Sequence, residues 1–353
     1  MSTINTAGTV NVVDTFSRRR FLGKTAAASL LATSLVTSPA ASALAETESK
    51  MMEHREKPDN VDPKKQNIRP NGQGFLTALN FGTLIGFNLT LEEEIDLTAE
   101  AGYDGFEPWS QGLDRFLEQG GSLADLRKRI DDHGLQVATC NAFYPWIVED
   151  DKSRAEGLGQ MKRYMDYTAQ IGGSRITATS VGATDFRLDH FEVLGERYRT
   201  ILEIGEQQGV LPQLEMWAGT QTLNSLADLI AVAIHAGHPK TEFLLDVFHL
   251  YRSRSPFDSL ALLHGRKMTV LHINDYPAFA SPDEAQDKDR VYPGDGVAPL
   301  SRILQILQSV GFDGFLSFEV FNPHYWATND PLQIVRTGRE KILKLIEKTN
   351  HPV

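Results

Sequence analysis

The chain has 353 residues, 41% of them hydrophobic and 23% charged, so it is long enough to bury a full-sized core. Its formal charge is −11, from 35 Lys and Arg against 46 Asp and Glu. A surface of that sign repels phosphate backbones, which argues against nucleic acid as a partner and against strongly anionic substrates.

At the N-terminus, Ser17-Arg18-Arg19-Arg20-Phe21-Leu22-Gly23-Lys24 resembles the twin-arginine export motif. A stretch rich in Ala, Ser, Thr and Leu runs from Thr25 to Ala41, and Ala43-Leu44-Ala45 supplies an A-x-A cleavage site. The stretch is too short and too hydroxylated to cross about 30 Å of hydrocarbon. We therefore expect residues 1–45 to be a twin-arginine signal peptide, read by the Tat export machinery, with a periplasmic or extracellular mature protein that is not membrane-embedded. Residues 1–45 hold four basic and one acidic residue, so their removal leaves 31 against 45, or −14. The lone cysteine, Cys140, leaves an exported chain without an internal disulfide, and we read it as a small buried apolar residue.

Residues 46–72 are charged, contain three prolines and show no apolar period, as expected of a disordered linker. From Phe75 the pattern becomes short apolar runs alternating with amphipathic helical stretches. Strands are expected near 75–80, 103–107, 136–141, 175–180, 211–217, 243–248, 269–274 and 315–320. Helical repeats fill the gaps, such as LTLEEEIDLTAEAG, LADLRKRIDDHG, YRTILEIGEQQG and LQIVRTGREKILKLIEK. Eight strands each followed by a helix predict an α/β fold, a (β/α)8 TIM barrel over residues 73–350. One internal echo, Gly102-Tyr103-Asp104-Gly105-Phe106 against Gly311-Phe312-Asp313-Gly314-Phe315, fits repeated βα units.

Barrel chemistry sits at the C-terminal ends of strands. Four late-strand positions carry an ionisable residue inside apolar sequence: Glu215 in LPQLEMWA, Asp246 in EFLLDVFHL, His272 in MTVLHINDYP and Glu319 in FLSFEVFNP. Three buried carboxylates without a cation repel one another, and a divalent ion resolves that cost. Singly, each has a plainer explanation: a carboxylate paired with Arg or Lys, an Asp capping the next helix, a satisfied core histidine. Together, on successive strands, they predict a metal site. Its oxygen-rich donors favour Mn²⁺, Mg²⁺ or Co²⁺ over a thiolate-bound structural Zn²⁺ without separating the three, and Mn²⁺ is the ion expected. Glu107 ends the second strand, and Trp109, Phe143, Tyr144, Trp146, Trp217 and Trp326 follow strand ends, where aromatic rings line sugar pockets or simply pack.

Residues 75–348 resemble the xylose-isomerase-like TIM barrel superfamily, the sugar phosphate isomerase/epimerase group that includes D-tagatose 3-epimerase. The resemblance is carried by GYDGFEPW at 102–109, LEMW around Glu215, LLDVFHLYRS from Leu244, VLHINDYP from Val270, RVYPGDG from Arg290 and FLSFEVF from Phe315. It implies that Glu215, Asp246, His272 and Glu319 bind the metal, and that His249 and Arg290 contact substrate. The activity implied is sugar isomerisation or epimerisation, by proton transfer alpha to a carbonyl through a metal-stabilised enediolate. Glu215 and Glu319 would exchange the proton on opposite faces, with Glu107 and Trp109 also at the substrate. The same enolisation, followed by loss of a leaving group, would make the protein a lyase or dehydratase of a keto-sugar, keto-glycoside or inosose. Endonucleases of this superfamily need more histidines and a basic face, which the charge opposes. A small sugar or keto-sugar is the expected partner; homo-oligomerisation is left open.

Overall fold

The computed structural model describes residues 74–350 apart from 186 and 189. The expected signal peptide and linker lie outside these described residues. Eight strands follow in order: β1 Leu76–Asn80, β2 Gly105–Glu107, β3 Gln136–Val137, β4 Arg175–Ala178, β5 Leu211–Glu215, β6 Glu242–Asp246, β7 Met268–Ile273 and β8 Phe315–Phe318. The sheet order is β3-β2-β1-β8-β7-β6-β5-β4, with parallel pairing between neighbours. Its two edges meet through the parallel bridge Cys140↔Ile176, with Cys140 N donating to Arg175 O and Thr177 N to Cys140 O, both at 3.0 Å. Strands one to eight thus follow one another around a circle, an α/β (β/α)8 arrangement.

The intervening helices include α1 (Leu91–Glu100), α2 (Ser110–Glu118), α3 (Leu123–Asp132), α4 (Asp151–Gln170), α5 (Phe191–Gln208), α6 (Leu226–Ala236), α7 (Val247–Arg252), α8 (Leu300–Ser309), α9 (Pro323–Thr328) and α10 (Pro331–Asn350). Their starts are chemically marked. Thr90 with Glu93 and Ser225 with Asp228 form capping boxes that satisfy the first backbone N–H groups of α1 and α6. The helices cover the outside of the sheet with a continuous apolar core.

The internal echo has a packing reason. Gly102 and Gly311 both take positive φ, +82° and +74°, to turn out of a helix. Three residues on, a Cβ on Gly105 would lie 2.6 Å from Gln136 O, and one on Gly314 would lie 2.1 Å from Thr269 O. Both glycines let an incoming strand start against its neighbour's backbone.

Side-chain alternation then places the site. Ala78, Leu244 and Val270 form a small separate apolar cluster with Ala138. Two residues further along the same strands, on the same face, stand Asn80, Asp246 and His272. A register shift at Phe243/Leu244 brings Asp246 opposite His272 across the β6–β7 pair.

Candidate active site

Asp246 ends β6 and caps α7, accepting from His249 N at 2.9 Å through Oδ1. The helix cap suggested for this residue is present and uses one of its two oxygens. Oδ2 faces the barrel mouth. It accepts from Asn274 Nδ2 at 3.2 Å and from Arg290 Nη1 at 2.8 Å, and lies 3.6 Å from His272 Nδ1. Glu319, one residue beyond β8, brings Oε2 to 3.1 Å from His272 Nδ1 and 2.6 Å from Arg290 Nη1. One ligand atom from each of Asp246, His272 and Glu319 falls within 4.8 Å of the others, all three buried. That geometry is able to hold a divalent ion.

Glu215 ends β5 and is 4% exposed, but it stands outside that tight trio. Its Oε2 has no hydrogen-bond partner. Burial, with Glu319 adding repulsion against the pull of His272, pushes its carboxyl up to about 8. The carboxyl of Asp246 goes the other way: burial opposes ionisation, yet Arg290, His249 and His272 hold it well below the usual range. Burial likewise opposes protonation of His272, but Glu319, Glu107 and Asp246 outweigh it and raise its imidazole well above the ordinary value.

Arg290, expected at the substrate, is bound into the site's own carboxylates. Its guanidinium is 1% exposed and bridges Asp246 and Glu319 through Nη1. Its Nη2 donates to Asp287 Oδ1 at 2.8 Å and lies 3.3 Å from His249 Nε2. The flat group is sandwiched between the rings of Phe248 and Phe321, at 4.8 and 5.2 Å. Buried carboxylates have drawn in the available cation. Arg290 pairs with Asp246, Asp287 and Glu319, while Glu215 and Glu107 make no ion pair with it among the described residues. Glu215 Oε2 and Glu107 Oε1 stay without a hydrogen bond, and so does His272 Nδ1 despite its short approach to Glu319. Of these, His272 Nδ1 belongs to the trio, and its 3.1 Å approach to Glu319 Oε2 without hydrogen-bond geometry fits a shared cation.

The loop carrying Arg290 is held by Asp275, three residues beyond His272. Its Oδ1 accepts from Tyr276 N and Ala298 N, and Oδ2 from Gly294 N at 3.0 Å. A Cβ on Gly296 would lie 2.3 Å from Asp275 Oδ1, which explains the second glycine of the P-G-D-G turn. His249 is 7% exposed with Nδ1 unpartnered, and burial first, then Arg290, lowers its imidazole against the pull of Asp246.

Glu107, expected at the substrate, uses one carboxylate oxygen within the protein. It is 0% exposed, and its Oε2 meets His272 Nε2, Asn141 Nδ2 and Asn80 Nδ2, which sets it behind the histidine. Trp109 donates through Nε1 to Asn80 Oδ1 at 2.9 Å. It packs edge-on against Phe143, which in turn meets Trp217, giving an aromatic wall beside the acidic cluster. Trp146 is fully buried and donates to Thr179 O, so it packs the core. Trp326 donates to Thr83 O and closes over Gly86. Tyr144 stacks on Tyr164.

Comparison with known proteins agrees with this picture. The model of a family described as xylose isomerase-like TIM barrel matches residues 95–345. An inosose isomerase of Bacillus velezensis is 26% identical over 270 residues, spanning 74% of this chain and 94% of that one. A 3-dehydroshikimate dehydratase of Pseudomonas aeruginosa is 27% identical over 261 residues, spanning 74% of this chain and 40% of that longer protein. The crystal structure of an IolI protein with a bound zinc atom superposes with a TM-score of 0.72 at 23% identity, covering 78% of this chain and 99% of that one.

Proposed function

Because the chain belongs to the xylose isomerase-like TIM barrel family, we propose that it is a divalent-metal-dependent isomerase or epimerase of a small keto-sugar or cyclic keto-polyol. The observation that carries this reading is the buried trio of Asp246, His272 and Glu319, whose ligand atoms lie within 4.8 Å of one another, with Glu215 at the end of the neighbouring strand β5. The relatives are isomerases and dehydratases of sugar-like carbonyl compounds, which supports the same substrate class.

Asp246, His272 and Glu319 would hold the ion, with Glu215 the fourth donor, and the donor chemistry suits Mn²⁺, with Mg²⁺ or Co²⁺ next. When bound, such an ion supplies Lewis-acid stabilisation of negative charge developing on substrate oxygens. The remaining chemistry belongs to side chains. Glu215 and Glu319, on non-neighbouring strands, take and return the proton alpha to the carbonyl from opposite faces. His249 and the Arg290 guanidinium hold a carbonyl or hydroxyl oxygen. Trp109, Phe143 and Trp217 present ring faces to the apolar side of a sugar ring and keep water from the reacting carbon.

A second reading, loss of water after the same proton abstraction, is favoured by the match to 3-dehydroshikimate dehydratase. The test is incubation of the metal-loaded protein in deuterium oxide with ketoses, keto-glycosides and inososes. Deuterium entering the carbon alpha to the carbonyl of a recovered substrate or epimer supports the first reading, and release of water or an aglycone supports the second. Neither event across the panel would overturn both. Export by the twin-arginine pathway remains part of the proposal, resting on Ser17–Lys24 alone.

A further inference from the structure

The two nitrogens of His272 face different surroundings. Nδ1 looks toward Glu319 Oε2 and Asp246 Oδ2, at 3.1 and 3.6 Å. Nε2 looks inward, 3.1 Å from Glu107 Oε2 and 3.4 Å from Asn80 Nδ2, with both His272 and Glu107 fully buried. The orientation of Asn80 is set independently. Its Oδ1 accepts from Gly82 N at 2.8 Å and from Trp109 Nε1 at 2.9 Å, so its Nδ2 has to be the group that points at Glu107 and His272. Asn141 Nδ2 donates to the same Glu107 oxygen at 3.1 Å. A single carboxylate oxygen therefore gathers N–H groups from Asn80, Asn141 and His272. A carboxylate only accepts, so the imidazole nitrogen beside it has to carry hydrogen.

We propose that Glu107 is a positioning residue that fixes the imidazole of His272 with its hydrogen on Nε2 and so directs the Nδ1 lone pair at the cation seat shared with Asp246 and Glu319. The inference rests on the metal reading above and extends it inward by one layer. A histidine that can rotate, or place its hydrogen on Nδ1, offers that seat no donor, and carboxylates behind ligand histidines commonly set this choice. The arrangement also joins the seat to the pocket wall. Asn80 ties Glu107 to the Trp109 indole, and Trp109 meets Phe143 at a ring separation of 5.0 Å and Phe321 at 6.3 Å. Rotation of Trp109 would then loosen the amide that helps hold Glu107.

The probe is Co²⁺, used on the purified full-length protein and on the variants Glu107→Ala and Glu107→Gln. Affinity is measured by calorimetry and the ligand histidine by proton spectra of the paramagnetic complex. In wild type we expect one solvent-exchangeable, strongly shifted resonance from His272 Nε2–H, exchanging slowly because that atom is buried against Glu107. Glu107→Ala should weaken Co²⁺ binding by about 10–100-fold and broaden or abolish the resonance. Glu107→Gln keeps an acceptor but not the charge, and should fall between, with the resonance retained. Thermal melting of the metal-free proteins separates misfolding from mispositioning. Unchanged affinity together with an unchanged resonance in Glu107→Ala overturns the role of Glu107 while leaving the metal reading intact. A folded wild type that takes up no Co²⁺ overturns the metal reading, and this inference falls with it.

Discussion

The two ends of the barrel bury carboxylates in opposite ways. At the N-terminal end, Glu242 opens β6 and meets Arg175 at the start of β4 through two bonds, 2.5 Å from Nε and 3.1 Å from Nη2. At the same end, between β1 and β2, one Asp104 oxygen accepts from both Thr77 N and Thr77 Oγ1 at 2.8 Å. At the C-terminal end, Asp246 and Glu319 share the Arg290 guanidinium, and Glu107 Oε1, Glu215 Oε2 and His272 Nδ1 are left without hydrogen bonds. The same costly group thus serves stability where its partner comes from within the chain. Under the proposed function it serves chemistry where a bound ion completes the set.

This contrast can be broken experimentally. The largest effect is expected from Glu215→Gln or Glu319→Gln, which should lower turnover by at least about 10²–10⁴-fold. Both should leave the melting temperature within a few degrees. A large loss of stability with activity retained per folded molecule would erase the difference between the two ends. Arg175→Ala should do the reverse. It strands a carboxylate that is 9% exposed, at a cost of about 3 kcal/mol, with kcat of the folded fraction unchanged. Gly314→Ala pushes a methyl group against Thr269 O and should cost about 1–3 kcal/mol in urea unfolding, again without a change in chemistry. The smallest effect concerns Cys140, which is 0% exposed with its thiol pushed by burial up to about 12. A raised thiol pKa keeps the reactive thiolate scarce at all ordinary pH. The native protein should therefore resist iodoacetamide from pH 7 to 9 and react stoichiometrically once unfolded, and rapid native alkylation would contradict the burial.

Much of the fold is legible in the sequence because strand and helix periods differ and glycines mark the helix ends. The expected strands near 75–80 and 315–320 appear as β1 and β8, with shorter ends. The stretch 136–141 is regular for only two residues, after which it reaches its neighbours through the single bridges at Cys140 and Asn141. The strand expected at 243–248 stops at Asp246, whose side chain starts a helix instead. In the site, charged residues inside apolar strands give a signal that neutral amides do not. Asn80, Asn141 and Asn274 were therefore missed, although Asn80 pairs in register with Glu107 and shares the inward face of its strand with Ala78. The Arg290 bridge was hidden for another reason. It joins residues 44 and 29 positions apart, and only the closed barrel brings a loop cation over two strand ends.

The most direct test of the central claim is anomalous scattering from crystals of the protein grown with Mn²⁺. One peak is expected at the barrel mouth, within about 2.0–2.4 Å of carboxylate oxygens of Asp246 and Glu319 and of His272 Nδ1. No peak, with Arg290 Nη1 still bridging Asp246 and Glu319 at saturating Mn²⁺, would show that the arginine is the cation these carboxylates were gathered to hold.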